Sequence, residues 1–208
     1  MTTNSSMLIA IPMKDPSASK TRLVNCLSDQ ERQDLALALF KRTLDVIERS
    51  GCDVDVLVVT ESAWIESLCK GRAISVLWET QSSGLNAACD RAARWAVKHR
   101  YAKMAVLPAD LALLSENEIS RLVQLHLQPG QIALCEATDG GTNCLLASPP
   151  DAIPYRYGPD SFRAHRREAM RTGLGCFILR DSDMRYDIDT SQDLQYLRAL
   201  RQNDGSSA

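Results

Sequence analysis

The sequence predicts an α/β fold, a single-domain doubly wound sheet that is mostly parallel. Three observations predict it. Short apolar runs alternate along the whole chain with longer segments of helical period. Two of those runs, Met7–Pro12 and Met104 to Leu107, are apolar without a break, the pattern of strands buried on both faces. The 208 residues suffice for one well-cored domain and hardly for two, and no repeat or linker divides them.

Met-Leu-Ile-Ala-Ile-Pro at 7–12 is the first strand. A polar loop follows to Leu23, carrying Lys14, Lys20 and Arg22. Ser28 with Glu31 three residues on is a capping box. It opens a helix with Leu35, Leu39, Phe40, Leu44 and Ile47 on one face, and Gly51 ends it. Val54 to Thr60 is the second strand, then a short helix through Trp64 and Leu68, then a strand at Ile74 to Trp78. A long helix is expected from Ser83 to about His99, with Leu85, Ala88, Cys89, Ala92 and Ala96 facing inward. The run Met104 to Leu107 is the central strand, and Pro108 ends it because it has no N–H to give a ladder. Ser115 and Glu118 form a second capping box, before a helix carrying Ile119, Leu122, Val123 and Leu125. Strands at Gln131 to Cys135 and Asn143 to Ala147 flank a loop with Gly140-Gly141. A Pro-rich connector leads to a helix opening near Ser161, then a strand at Cys176 to Leu179. Thr190 caps the last helix, which frays from Gln202. The domain is therefore expected over 7–201, with tails at 1–6 and 202–208.

Composition excludes several classes. A formal net charge of −2 and no basic tract argue against a nucleic-acid partner. Seven cysteines never fall as C-x-x-C, so neither a zinc site nor a disulfide framework is indicated. Most read as small core residues in a reducing cytosol. The first six residues lack the apolar stretch of a signal peptide, and no run is long enough to span a membrane. The expectation is a soluble cytoplasmic protein. Trp64, Trp78 and Trp95 read as packing, and His99 and His126 as surface or helix-end residues. His165 lies one turn past Ser161 and reads either as structural or as facing the same pocket.

Asp110 emerges just past the carboxyl end of the central strand, the edge where open α/β sheets bind ligands. It reads either as a turn cap or as a ligand holding a divalent metal against phosphate. Asp187 and Asp189 are two apart, so an extended segment points both to one side. They read either as turn and cap residues or, with Asp110, as a Mg2+ site. Lys14, Lys20 and Arg22 suit a triphosphate or a solvated loop. That loop has neither the glycine spacing of a P-loop nor that of a dinucleotide fingerprint, which counts against an ATPase and a dehydrogenase. The turn Gly140 to Asn143 and the Gly158-x-x-Ser161 segment offer backbone amides and hydroxyls, with Ser161 at a helix start that favours an anion.

One ordered set covers nearly the whole chain: Ile11-Pro12-Met13-Lys14, Ser19-Lys20-x-Arg22-Leu23, Gly84-Leu85-Asn86, Leu107-Pro108-Ala109-Asp110, Gly141-Thr142-Asn143, Gly158-Pro159-x-Ser161-Phe162 and Asp187-Ile188-Asp189-Thr190. It resembles the 2-phospho-L-lactate guanylyltransferases of coenzyme F420 biosynthesis, which include phosphoenolpyruvate- and 3-phosphoglycerate-using members. The resemblance implies a nucleotide-diphospho-sugar-transferase-like fold and transfer of GMP from GTP to a small phosphorylated acid, with pyrophosphate released. It implies Mg2+ on Asp110, Asp187 and Asp189. By the same resemblance Lys14, Lys20, Arg22, Gly84, Asn86 and Pro108 hold the nucleotide, with Asp110, Lys20 and Arg22 as the catalytic set. Thr142, Asn143, Gly158 and Ser161 hold the acid. Sugar-nucleotide and molybdopterin transferases, by contrast, carry a glycine-rich first loop that this chain lacks.

Cys89 follows Gly84-Leu85-Asn86 by one helical turn and is expected at the acid pocket, where many members resemble Leu. The smaller side chain favours 3-phospho-D-glycerate over 2-phospho-L-lactate and phosphoenolpyruvate, a discrimination of about 1–3 kcal/mol. The other reading of Cys89 is helix packing. Two further readings of the chain stay open: a guanylyl- or cytidylyltransferase for another phosphate such as a sugar phosphate, and a non-catalytic nucleotide-binding module. Two expected partners complete the picture. The Leu-rich first helix offers a homodimer surface, and a reactive product suits hand-off to the next transferase.

Overall fold

In the computed structural model, which describes residues 6–80, 84–180 and 182–204, seven strands form one sheet. They are β1 (Met7–Pro12), β2 (Asp55–Thr60), β3 (Ile74–Trp78), β4 (Lys103–Val106), β5 (Gln131–Glu136), β6 (Thr142–Ser148) and β7 (Gly175–Ile178). Their order across the sheet is β3-β2-β1-β4-β6-β5-β7. The helices are α1 (Asp29–Arg49), α2 (Ala63–Cys69), α3 (Leu85–Lys98), α4 (Glu116–Val123), α5 (Ser161–Thr172) and α6 (Ser191–Asp204). The expected tails lie largely outside the described residues, as does Ser83. The last helix spans Ser191–Asp204.

β1 pairs in parallel with β2 and β4, β2 with β3, and β5 with β7. β6 is the exception, antiparallel to both β4 and β5. The short loop from Ala137 to Gly141 explains it, because a parallel connection needs a crossover of a dozen residues or more. The reversal matters for the site. Running backwards, β6 brings its first residues, Thr142 and Asn143, to the edge where β4 ends.

The unbroken apolar strands bury both faces. Met7, Ile9, Ile11, Val58, Ala105 and Leu107 pack with residues of α1, α2 and α4 on one side. Leu8, Ala10, Leu57, Val59, Met104 and Val106 pack with α3 and α5 on the other. This is the strand alternation of successive side chains. α3 presents Ala88, Cys89, Ala92, Ala93 and Ala96 to the sheet, small residues that let the helix lie close. Cys69, Cys89, Cys135 and Cys144 are buried, Cys52 is partly buried, and Cys26 and Cys176 are exposed.

The first capping box forms as expected, Ser28 and Glu31 each bonding the other's backbone N–H. The second forms by half. Ser115 accepts from the Glu118 N–H, but the Glu118 carboxylate turns to the Ser182 hydroxyl, 2.5 Å away, and to Arg121. α4 ends at Val123, short of Leu125. The packing role expected of the tryptophans is corrected for two: Trp64 and Trp78 are 46% and 42% exposed, one on a short helix and the other on the edge strand β3. No described helix is long and apolar enough to cross a membrane.

Candidate active site

The loop after β1 is fastened before it reaches the cleft. Asp15 accepts from the N–H and hydroxyl of Ser17 and from the Ser62 hydroxyl at 2.6 Å. The side-chain bonds from Ser17 and Ser62 hold its carboxyl below the usual range. From α1, Arg32 donates to the Ser19 carbonyl at 3.2 Å. Between these anchors Lys20 stands at φ 56°, a left-handed conformation that costs an L-residue about 1–2 kcal/mol. The conformation aims its side chain inward. Lys20 Nζ lies 2.5 Å from Oδ2 of Asp110 and 3.0 Å from Oδ1 of Asp189. Burial alone would depress this ammonium; the two carboxylates outweigh it and hold the pKa above the ordinary lysine value. Arg22 reaches Asp189 at 3.4 Å and Asp139 at 3.9 Å from an exposed position.

Asp110 and the Asp187–Asp189 segment meet directly. The Ile188 N–H bonds the Asp110 carbonyl at 3.3 Å, and Leu111 and Asp187 form an antiparallel bridge. Under them lies a separate apolar cluster of Leu23, Leu39, Ala112, Ile188, Leu194 and Leu197. It takes a residue from the loop of Lys20 and Arg22, from the turn after Asp110 and from the Asp187–Asp189 segment, so the same burial that holds α1 and α6 gathers these charged groups. Asn143 donates to Oδ1 of Asp187 at 3.0 Å. Burial pushes the Asp187 carboxyl up to about 6, against the pull of Asn143 and with the push of Asp110 and Asp189.

The cleft is about 400 Å3. Lys14, Lys20, Arg22, Gly84, Pro108, Asp110, Thr142, Asn143, Asp187 and Asp189 all line it. The start of α3 opens onto it at Gly84, whose φ of 86° suits glycine and where no side chain caps the helix. A helix start of this kind, with no cap from Gly84 itself, turns its first N–H groups toward the cleft. Asn86 stands apart from the wall. Its amide donates to the Tyr157 carbonyl at 3.0 Å and accepts from the Tyr157 N–H at 2.6 Å, a clamp between helix and loop.

The pocket position expected for Cys89 is corrected. Cys89 is fully buried in the core beneath α3, burial drives its thiol pKa far up, and Ala88 is the residue on the cleft wall. Ser161 is buried behind the wall, and Gly158 is exposed beside it and does not line the cleft. The Ser161 hydroxyl donates to Thr142 Oγ1 at 3.1 Å, and Thr142 Oγ1 lies 3.0 Å from His165 Nδ1. His165 is wholly buried, edge-on to Tyr157, and burial, then the charge of Arg156, pulls its pKa to about 4.

Sequence reasoning missed Glu61, Glu79 and Tyr157, which line the cleft, and Asp15 and Arg32, which brace its loop. A carboxylate just past a strand or an aromatic in a connector carries no motif, and a brace shows only once the loop is folded. For Mg2+, no group of three or more His, Cys, Asp or Glu side chains among the described residues is arranged to hold a metal ion. The donor chemistry nevertheless fits: Oδ1 of Asp110 is buried without a hydrogen-bond partner, and hard carboxylate oxygens are what Mg2+ takes.

Residues 7–204 match the family described as guanylyl transferase CofC like. The chain is 42% identical, over 92% of its length and 91% of the relative's, to the 3-phospho-D-glycerate guanylyltransferase of Colwellia psychrerythraea. It is 29% identical, over 93% and 94%, to the phosphoenolpyruvate guanylyltransferase of Rubrobacter xylanophilus. Among solved structures, a protein assigned as a nucleotide-diphospho-sugar transferase from Desulfovibrio desulfuricans G20 superposes with a TM-score of 0.76. It is 19% identical, covering 97% of this chain and 96% of that one. At that identity the likeness shows the fold.

Proposed function

The chain belongs to the CofC-like guanylyl transferases, and on that premise we propose that it transfers GMP from GTP to 3-phospho-D-glycerate, releasing pyrophosphate, in coenzyme F420 biosynthesis. The observation that carries the site is the meeting of Lys20 with Asp110 and Asp189 at the edge where β1 and β4 end. The choice of acid is supported by the 42% identity to the Colwellia enzyme. 2-Phospho-L-lactate and phosphoenolpyruvate are the competing acids.

In the reaction, a phosphate oxygen of the acid attacks the α-phosphorus of GTP. A P–O bond forms in line with the bond that breaks to pyrophosphate. No covalent intermediate on the protein is needed, so the chain's task is to position the reactants and neutralise charge. Lys20 supplies a buried, fixed positive charge, and Arg22 a guanidinium fork at the open side. The start of α3 at Gly84 offers backbone N–H groups to phosphate oxygens. Asp110, Asp187 and Asp189 would hold Mg2+, which when bound supplies Lewis-acid neutralisation of the phosphates. The acid sits against Thr142 and Asn143, across the cleft from α3. The reading extends to a cytoplasmic enzyme, a homodimer using α1, and direct hand-off of the anhydride-like product.

The test is pyrophosphate release from GTP and Mg2+ with each of the three acids, and with a sugar phosphate as control. Fastest turnover of 3-phospho-D-glycerate is expected. Preference for a sugar phosphate, or no turnover with any phospho-acid, overturns the reading.

A further inference from the structure

The strand β6 and the helix α5 carry a buried polar chain whose hydrogen directions can be deduced. The backbone N–H of Arg156 donates to Nε2 of His165 at 2.9 Å, so Nε2 carries no proton. A neutral imidazole has one N–H, which therefore sits on Nδ1 and points at Thr142 Oγ1, 3.0 Å away. The Ser161 hydroxyl donates to the same oxygen. A threonine hydroxyl has two lone pairs and one proton. Both lone pairs are then taken from behind, and the proton is left to point elsewhere. Thr142 lines the cleft.

We propose that His165 is a positioning residue for the acid substrate: its Nδ1–H, with the Ser161 hydroxyl, fixes Thr142 as a donor aimed at an anionic oxygen of the bound acid. The inference rests on the guanylyltransferase reading and deepens it. Ser161 then acts through Thr142 rather than by spending its own proton on the substrate. The burial that keeps the imidazole neutral also keeps the arrangement in one tautomer. A protonated or flipped ring would compete with that geometry. Of the nearby groups, Arg156 supplies the backbone donor, and Tyr157 packs edge-on against the ring.

Steady-state kinetics separate this role from a structural one. His165→Phe is expected to raise KM for the phospho-acid by about tenfold or more, the worth of a hydrogen bond to a charged group, with KM for GTP unchanged. His165→Asn, whose amide nitrogen can still donate to Thr142, recovers most of the loss. In a Thr142→Val background the His165→Phe change adds nothing further. Equal shifts in both KM values, or independent effects of the two substitutions, overturn the proposal. The wild-type protein gives a check that needs no variant: 15N NMR should show His165 protonated on Nδ1, and an Nε2–H tautomer overturns it. Wild type that turns over no phospho-acid sinks the functional reading and this one with it. Wild type that turns over, with both KM values moved alike by His165→Phe, sinks this one alone.

Discussion

Lys20 Nζ and Asp110 Oδ2 lie 2.5 Å apart although 90 residues separate them, and the lysine side chain is only 5% exposed. A charge buried that far is retained where its partner needs it in place, because breaking one side of such a pair leaves the other uncompensated. Asp110→Asn keeps the shape and removes the negative charge. Turnover is expected to fall by about 10²-fold or more, the usual loss when a preorganised electrostatic group is removed, with circular dichroism unchanged. Asp110→Asn with wild-type pyrophosphate release would remove Asp110 from the catalytic set.

The apolar cluster beneath the charges makes a second expectation. Leu23 is fully buried between the cationic loop and α6, and Leu122 is as well buried in α4 on the main core. Either change to Ala should lower unfolding stability by about 2–5 kcal/mol. Only Leu23→Ala should also depress kcat/KM in protein that is still folded, because Lys20 and Arg22 lie within the three residues before it. Matched activity losses in the two variants would mean the cluster does not set the loop.

Ala88 and Cys89 give a third. Ala88 faces the cleft and Cys89 the core. Ala88→Leu, in the first turn of α3, is expected to raise KM for GTP by filling the nucleotide side of the cleft. Cys89→Ala is expected to lower the thermal midpoint while leaving the ratio of kcat/KM between 3-phospho-D-glycerate and 2-phospho-L-lactate within about threefold, less than the about 10–200-fold that a pocket methylene can give. A reversed preference in Cys89→Ala would restore that thiol to the selectivity wall.

These cases mark where the sequence could be read and where it could not. The end of β4 was legible because an unbroken apolar run stops at a proline, which places Asp110 at the sheet edge without any motif. The converging cations and carboxylates were legible as types and spacings. Cys89 failed on phase. A residue one turn along α3 shares a face with its reference only roughly, and at 100° per residue its neighbour Ala88 took the wall instead. Asn86 was expected at the nucleotide through the resemblance alone; that its amide is spent on the Tyr157 backbone depends on a loop some seventy residues later (|i−j| of 71). The antiparallel turn of β6 and the Thr142–His165 contact share that character, since strand direction and side-chain meetings between elements are set by packing. Trp64 and Trp78 show the same limit, as residue type does not report whether its element lies at an edge.

Acid stability supplies the last prediction, because buried His165 and half-buried Asp187 pull in opposite directions over one pH window. His165 titrates near 4 in the fold against an ordinary 6.5. On acidification the unfolded chain therefore takes up that proton first, and stability held above pH 6.5 is lost as pH falls toward 4. Asp187 titrates near 6 against an ordinary 3.8. The folded chain takes up its proton first, so Asp187 adds stability as pH falls from 6 toward 4 and withdraws it as pH rises. Thermal midpoints measured from pH 4 to 7 with chelator present should separate them. Relative to wild type, His165→Phe flattens the acid decline and Asp187→Asn steepens it. If neither variant changes the slope, the protonation states assigned to these two groups are wrong, and the neutral Nδ1–H imidazole behind Thr142 loses its electrostatic support.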